Sequence, residues 1–452
     1  MTNDMTVGNP TKLVIKFIIP LLIGNIFQQF YSMVDTIIVG KYVGTNALAG
    51  VGSTGAINFF ILGFAMGLTT GFAVPIAQGF GANDYGKVRH FVAMSTYLTI
   101  IVGIVITILS TITLRPLLTI TKTPSDIYEY AYDYMIIILA GILTNMAYNM
   151  TASILRALGD SKTPLYFLIV ASFLNIVLDL LFILSFNMGV AGAAWATIIS
   201  QGISALLCVI YMNKKFEILK MRKEDFEYKQ SSANLLLRIG IPMAFQTSVI
   251  AIGSILLQSA VNSLGTIYVA SYTVCCRIEQ LAIQPFSTLG IAATTYTGQN
   301  LGAGKLDRIK EGMKKMTIIG IILAILCAGI IYIFNIPLIN LFISEGDDKV
   351  LVIKYVRQYL IWACLFFIPL MLLILYRSSI QGMGDATFPM VASIVELVGR
   401  VAVATGLVAF IGYLSICIAC PVAWTGGALI VVPAYFMKMK KLEKNVVQTE
   451  GI

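Results

Sequence analysis

Two acids lie in stretches otherwise built for lipid: Asp35 in "LVIKFIIPLLIGNIFQQFYSMVDTIIVG" and Asp179 in "LYFLIVASFLNIVLDLLFIL". A carboxylate at the centre of a membrane helix costs about 2.5 to 3.5 kcal/mol on insertion scales and by default marks a proton or ion pathway. Helical spacing puts Gly24, Gln28, Tyr31 and Asp35 on one polar stripe, and puts Asn175 one turn before Asp179 on the same face. Carboxylate and amide oxygens are hard donors that suit H+ or Na+ alike, so coupling to either ion is the chemistry these residue types predict. Structural hydrogen bonding alone is the other reading of the two acids.

Further polar groups could line a substrate cavity. Gln28 and Tyr31 share the Asp35 stripe, and Asn145, Tyr148 and Asn149 in the fourth hydrophobic segment offer a second wall. Met33, Met66 and Met150 would add adaptable contacts, unless they are ordinary bundle filling. In the eighth segment Arg277, Gln280 and Gln284 share a face beside Pro285, while Glu279 points elsewhere, either attracting a cationic substrate or packing. Glu396 and Arg400, one turn apart in the eleventh segment, read as a self-neutralised pair. His90, the one histidine, stands beside Arg89 in a polar turn and is expected to be solvated, which leaves no histidine for a proton relay.

These side chains need helices to hold them. The chain of 452 residues is 58% hydrophobic and 12% charged, with a mean hydropathy of +0.86, which excludes a soluble globular domain. Apolar runs of about 20 residues suit membrane helices, and the short alternating strands of a barrel are lacking. Hydropathy predicts about twelve segments, near 12–40, 46–76, 89–118, 128–155, 163–186, 189–212, 233–264, 268–297, 307–336, 350–380, 386–412 and 414–438. The net charge of +9 sits at segment ends and in short loops, where the positive-inside bias explains it without a nucleic-acid partner. Cations cluster on one side, from Lys12, Lys16, Lys87 and Arg89 through Arg156, Lys162, Lys305 and Arg308 to Arg377 and Lys438. Lys41, Arg115, Lys122 and the acidic "SEGDDK" around Asp347 fall on the other. Both termini are therefore expected in the cytoplasm of a multi-pass plasma-membrane protein. The start "MTNDMTVGNPTK" has no basic n-region before a short apolar core, so the first helix reads as retained.

The seven cysteines all fall in apolar runs, and the CxxC of Cys417 and Cys420 has no second pair or His cluster, so they read as packing residues. No nucleophile with a base, metal cluster or phosphate loop is present, which argues against an enzyme and against a resident cofactor.

Organisation is by duplication. "IKFIIPLLIG" around Pro20 recurs as "LRIGIPMAFQ" around Pro242, "QGFGANDYGKVR" as "QNLGAGKLDRIK", and "RALGDSKTP" as "QGMGDATFP", at offsets of 222, 221 and 225 residues. The fold class is thus an all-α polytopic membrane protein, with twelve transmembrane helices in two pseudo-symmetric six-helix bundles. Residues 1–212 form the first lobe, 213–232 a cytoplasmic linker and 233–452 the second lobe. In the repeated turn, Gly159 and Gly384 suit a helix carboxyl end, Asp160 and Asp385 can cap the next helix, and Pro164 and Pro389 sit in its first turn.

The "P…Q…D" first helix, the "Q-x-x-GA" loop, the "RALGD…P" turn and their weaker repeats resemble the multidrug and toxic compound extrusion (MATE) family, its DinF-like branch, over essentially the whole chain. The resemblance implies secondary active efflux of amphipathic, often cationic small molecules against H+ or Na+ by alternating access. It also implies a first-lobe cluster of Asp35, Asn175, Asp179 and Thr197, able to take Na+, with Pro20 as a hinge in the first helix. Thr197 has the further option of bonding its own helix backbone. The repeat pairs Asp35 with Leu257, Asn175 with Arg400 and Asp179 with Ala404, so the second half lacks the equivalent acids. A monomer is expected. The competing reading is a lipid-linked-saccharide flippase of the same wider superfamily, with uptake in place of efflux as another.

Overall fold

The computed structural model describes residues 4–121, 123–343 and 349–450, side chains of 446–450 excepted. Lys122 and the "SEGDDK" acids from 344 to 348 lie outside the described residues. The chain is helical from end to end: α1 (Pro10–Tyr42), α2 (Thr45–Ser53), α3 (Gly55–Gly81), α4 (Tyr85–Ile120), α5 (Tyr128–Ala140), α6 (Ile142–Ala157), α7 (Lys162–Leu180), α8 (Gly189–Lys215), α9 (Gln230–Asn262), α10 (Thr266–Gly302), α11 (Leu306–Ile333), α12 (Asn335–Asn340), α13 (Lys349–Leu365), α14 (Phe367–Gly382), α15 (Thr387–Gly406), α16 (Val408–Ile411) and α17 (Tyr413–Glu450). Among the described residues no strand occurs.

Nine of these helices are long and apolar enough to cross a membrane, and eleven spans result if two bent pairs each count as one. Those pairs, α5 with α6 and α13 with α14, bend by 50° and 51° within the stretches 128–155 and 350–380 that hydropathy reads as single helices. The twelfth long helix is α10, whose Arg277, Glu279, Gln280 and Gln284 dilute its apolar content. The hydropathy segment 46–76 likewise resolves into a short α2 and a long α3.

Two compact units emerge, one of Lys16–Ser248 with the first residues through Met5, the other of Thr6–Ile15 with Val249–Ile452. The division falls inside α1 and α9, so the amino-terminal half of α9 packs in the first unit. A glycine stripe on α3 explains that placement. A Cβ on Gly71 would come within 2.6 Å of Gly240 Cα, and one on Gly67 within 2.5 Å of the Met243 carbonyl. One turn on, Thr247 Oγ1 donates to the Gly63 carbonyl at 2.7 Å. Without a hydrophobic driving force between membrane helices, such backbone-to-backbone approach supplies the packing energy.

The repeated turns behave as read. Gly159 and Gly384 take φ of 81° and 78°, and Asp160 Oδ1 accepts from the Lys162 and Thr163 N–H groups at 3.0 Å each. Asp385 Oδ1 caps Thr387 at 3.0 Å, and its other oxygen accepts from Lys438 at 2.9 Å. Burial alone would lift the Asp385 carboxyl, but the Lys438 ammonium and the Thr387 N–H overrule it and hold the group below the usual carboxylate range.

Two expectations about charged groups fail. His90 is half-buried and bonded, not free in solvent: its Nδ1 lies 3.3 Å from the Asp225 carbonyl and its Nε2 2.9 Å from Ser232 Oγ, because the 216–229 connection and the start of α9 lie against α4. Arg89 fixes the same connection through Asp225 Oδ2 at 2.9 Å. Glu396 does not pair with Arg400 either. Its carboxylate goes to Arg377 Nη1 at 3.0 Å, from α15 to α14, since a neighbouring helix offers a straighter approach than the next turn of its own.

Candidate functional site

The first unit brings four residues of three helices into one cluster, Asn175 and Asp179 buried and Asp35 and Thr197 half-buried. Asp35 comes from α1, Asn175 and Asp179 from the buried face of α7, and Thr197 from α8. Asn175 and Asp179 are 1% and 0% exposed, so nothing but protein or a bound ion can serve them. The carboxyls of Asp35 and Asp179 lie close enough to act directly on one another. Two carboxylates so placed cannot both stay ionised without a cation, so the pair calls for a proton or a metal ion. The Asn175 amide fits its neighbours with its NH2 donating to Asp179 Oδ2 at 3.1 Å and its oxygen accepting from the Thr197 N–H at 3.3 Å. Thr197 Oγ1 donates to the Ala193 carbonyl at 3.0 Å and lies beside Tyr31. The threonine therefore uses its own backbone and the cluster at once.

The oxygens left over matter most. Asp35 Oδ1 and Asp179 Oδ1 are both enclosed and lack any hydrogen-bond partner. Buried polar atoms are normally satisfied, and an orphaned carboxylate oxygen costs more than a neutral one. The carboxyl oxygens of Asp35 and Asp179 and the Thr197 hydroxyl are hard donors of the kind a small cation prefers, whereas Asn175 presents its NH2, not its oxygen, to Asp179. Immediately after Asp179, α7 widens into a π-helical turn, Leu181–Ser185, a distortion common beside functional groups.

Gln28, Tyr31, Asn145, Tyr148 and Asn149, all read as cavity residues, line one cleft in this unit. Its volume is about 50 Å³, room for a few waters and well short of the roughly 300 Å³ at which drug-sized pockets begin. Asn149 Nδ2 donates to Asn145 Oδ1 at 2.9 Å, and Asn145 Nδ2 to Gln201 Oε1 at 3.1 Å. Tyr31 lines the cleft and also contacts the acid cluster, so it joins the two. Met150 is buried in the core, whereas Met33 and Met66 are exposed.

Sequence reasoning missed several contributors. Ser200, Gln201 and Ser204 line the cleft from α8, and the hydroxyls of Ser200 and Ser204 have no protein partner. Thr197, Ser200, Gln201 and Ser204 follow helical spacing in "ATIISQGIS", a polar stripe that was available to be read. Tyr134 on α5, which lies within the electrostatic reach of Asp35, Tyr31 and Asp179, carried no such signal. The remaining cavity candidates belong to the second unit. Arg277 and Gln280 are exposed, Gln284 is half-buried, and half-buried Glu279 accepts from Tyr359 Oη at 2.7 Å.

The MatE family model matches residues 20–181 and again residues 242–405. The chain is a MatE family member. The duplicated match coincides with the repeat offsets, and MatE proteins are membrane transporters, so this chain is a multi-pass transporter and not an enzyme. It is 35% identical over 372 residues to a probable multidrug resistance protein, YpnP, of Bacillus subtilis, covering 80% of each chain. It is 27% identical to a probable multidrug resistance protein, NorM, of Thermotoga maritima, over 85% of this chain and 83% of that one. A crystal structure of a MATE protein in complex with MaL6 aligns with a TM-score of 0.90 at 25% identity, over 98% of this chain and 99% of the other. The all-α fold of twelve membrane helices in two six-helix bundles is that of these transporters.

Proposed function

We propose that this MatE transporter exports amphipathic, often cationic small molecules in exchange for H+ or Na+, by alternating access. The observation that carries the reading is the Asp35–Asp179 contact with its two unpartnered oxygens. Taking up an ion removes repulsion between the acids and satisfies those oxygens, so occupancy changes the relative stability of α1, α7 and α8 arrangements. An ion biases a conformational equilibrium only by its difference in affinity for the two states, about 1.4 kcal/mol for each tenfold shift. Pro20, buried within α1 and lacking an N–H to donate, gives that helix a weak point for repacking. The cleft through Tyr31 is suited to hydrating the acids. The coupling ion is cargo here, held by Asp35, Asn175, Asp179 and Thr197. A monomer in the plasma membrane, with both termini cytoplasmic, fits the cation distribution. Multidrug resistance in the names of its relatives supports the substrate class.

The test is dye efflux in inverted vesicles with a proton or a sodium gradient imposed separately, comparing the intact chain with Asp35→Asn and Asp179→Asn. Both variants should lose gradient-driven transport. Wild-type rates in both under either gradient would remove the coupling assignment.

A further inference from the structure

The second unit contains a buried cation whose hydrogen-bonding capacity is unused. Arg400 on α15 is 7% exposed, and its Nε is enclosed without a partner. Among the described residues it makes no hydrogen bond and no ion pair. Its sequence neighbour Glu396 is taken by Arg377 at 3.0 Å, and Glu279 is taken by the Tyr359 hydroxyl at 2.7 Å. Both acids, with Cys420 and Tyr272, act on Arg400 only through space. Their fields offset the cost of burying the charge, but they leave the Nε–H enclosed with nothing to bond and both Nη groups of the fork without a protein hydrogen bond. The space for that fork is provided by Gly253 on α9, where a Cβ would stand 3.2 Å from Arg400 Nη1. The duplication pairs this arginine with Asn175 of the acid cluster.

We propose that Arg400 is a docking point for a carboxylate of the transported molecule, so that zwitterionic and anionic amphiphiles belong among its substrates. A planar guanidinium with free parallel N–H groups matches a carboxylate bidentately. The proposal rests on the exporter reading for the word "transported", and on the geometry of the second unit for the anion site. A charge-assisted pair of this kind is worth about tenfold to a hundredfold in affinity.

The experiment uses the purified full chain in detergent and follows its thermal unfolding with sodium benzoate, sodium phosphate or sodium chloride at equal ionic strength. Benzoate should raise the midpoint beyond the two inorganic salts. In Arg400→Gln that extra rise should vanish, and in Arg400→Lys, which keeps the charge without the fork, it should be reduced. Gly253→Ala retains the arginine but crowds Nη1, so it should also weaken benzoate, and it serves if Arg400→Gln does not fold. Equal protection by chloride or phosphate, no benzoate-specific rise in the wild type, or the same rise in Arg400→Gln and Gly253→Ala overturns the assignment. A second arm compares efflux of rhodamine B, which carries a carboxylate, with that of its ethyl ester. The ratio of their rates should fall by about tenfold in Arg400→Gln, and an unchanged ratio counts against the site. Failure of the wild type to move either dye under any gradient would refute the exporter reading while leaving the benzoate result to stand.

Discussion

The cluster in the first unit and the positions paired with it in the second are the same place on a duplicated scaffold with opposite charge. In the first, two carboxyls meet with an amide and a threonine and no cation at hand. In the second, Leu257, Arg400 and Ala404 stand in their stead, and the nearby acids Glu396 and Glu279 are bound by Arg377 and Tyr359. Duplication copied the glycine turns, the helix caps and the prolines, which are needed to fold each half. It did not keep the two acids. The first-unit acids are each left with an unpartnered oxygen, whereas Glu396 and Glu279 are paired.

The largest effect should come from breaking the paired set. Glu396→Gln leaves the Arg377 guanidinium buried without its counterion, which costs about 3–5 kcal/mol. The thermal unfolding midpoint should fall clearly, whereas Asp35→Asn should leave it unchanged or raise it, because acid–acid repulsion is relieved. Stability loss in the Asp35→Asn protein comparable with that of Glu396→Gln would erase the distinction between the two regions.

Importing the second unit's charge into the first comes next. Asn175→Arg would place a permanent cation against Asp35 and Asp179, occupying the role of the coupling ion. Gradient-driven dye transport should drop on the order of a hundredfold, about 2.7 kcal/mol. Retained coupling in a folded Asn175→Arg variant would mean that the ion is handled elsewhere.

A smaller change tests the junction between cleft and acids. Tyr31→Phe keeps the ring and removes the hydroxyl that lies between the cleft and the acids, so coupled transport should slow by about tenfold, the worth of one polar contact in a dry site. An unaltered rate would detach the cleft from the pathway.

The smallest concerns the repeated turn, common to both halves. The Asp385 carboxyl is held below its ordinary range of about 4 by Lys438 and the Thr387 N–H. Its contribution is therefore present above that range and is lost as pH falls through the depressed folded value. Asp385→Asn should lower the unfolding midpoint slightly at neutral pH, and the difference from wild type should close on acidification below pH about 4. A difference that widened in acid would contradict the cap.

Reading the site from sequence worked where a stripe lay on one helix. Gln28, Tyr31 and Asp35, or Asn175 and Asp179, follow from spacing alone, and the turn residues from the backbone each requires. It stumbled where the partner came from another element. Glu396 was matched to Arg400 four positions on, yet Arg377 from the adjoining helix wins. His90 looked solvated because nothing local covers it, and its partners are distant in sequence, Asp225 in the connection and Ser232 at the start of α9.

The sequence by itself determined that this is a duplicated helical membrane protein, because apolar run length, cation placement and repeated turn residues act locally or through the bilayer. Tertiary structure alone decided which polar groups meet: that Asp35 and Asp179 come close enough to act on one another, that Tyr134 lies within their field and that Arg400 stays unpaired. Helical periodicity fixes the face a side chain occupies on its own helix. Which neighbour that face meets is set by how closely helices approach, as the Gly71–Gly240 contact permits, and no one-dimensional pattern carries that information.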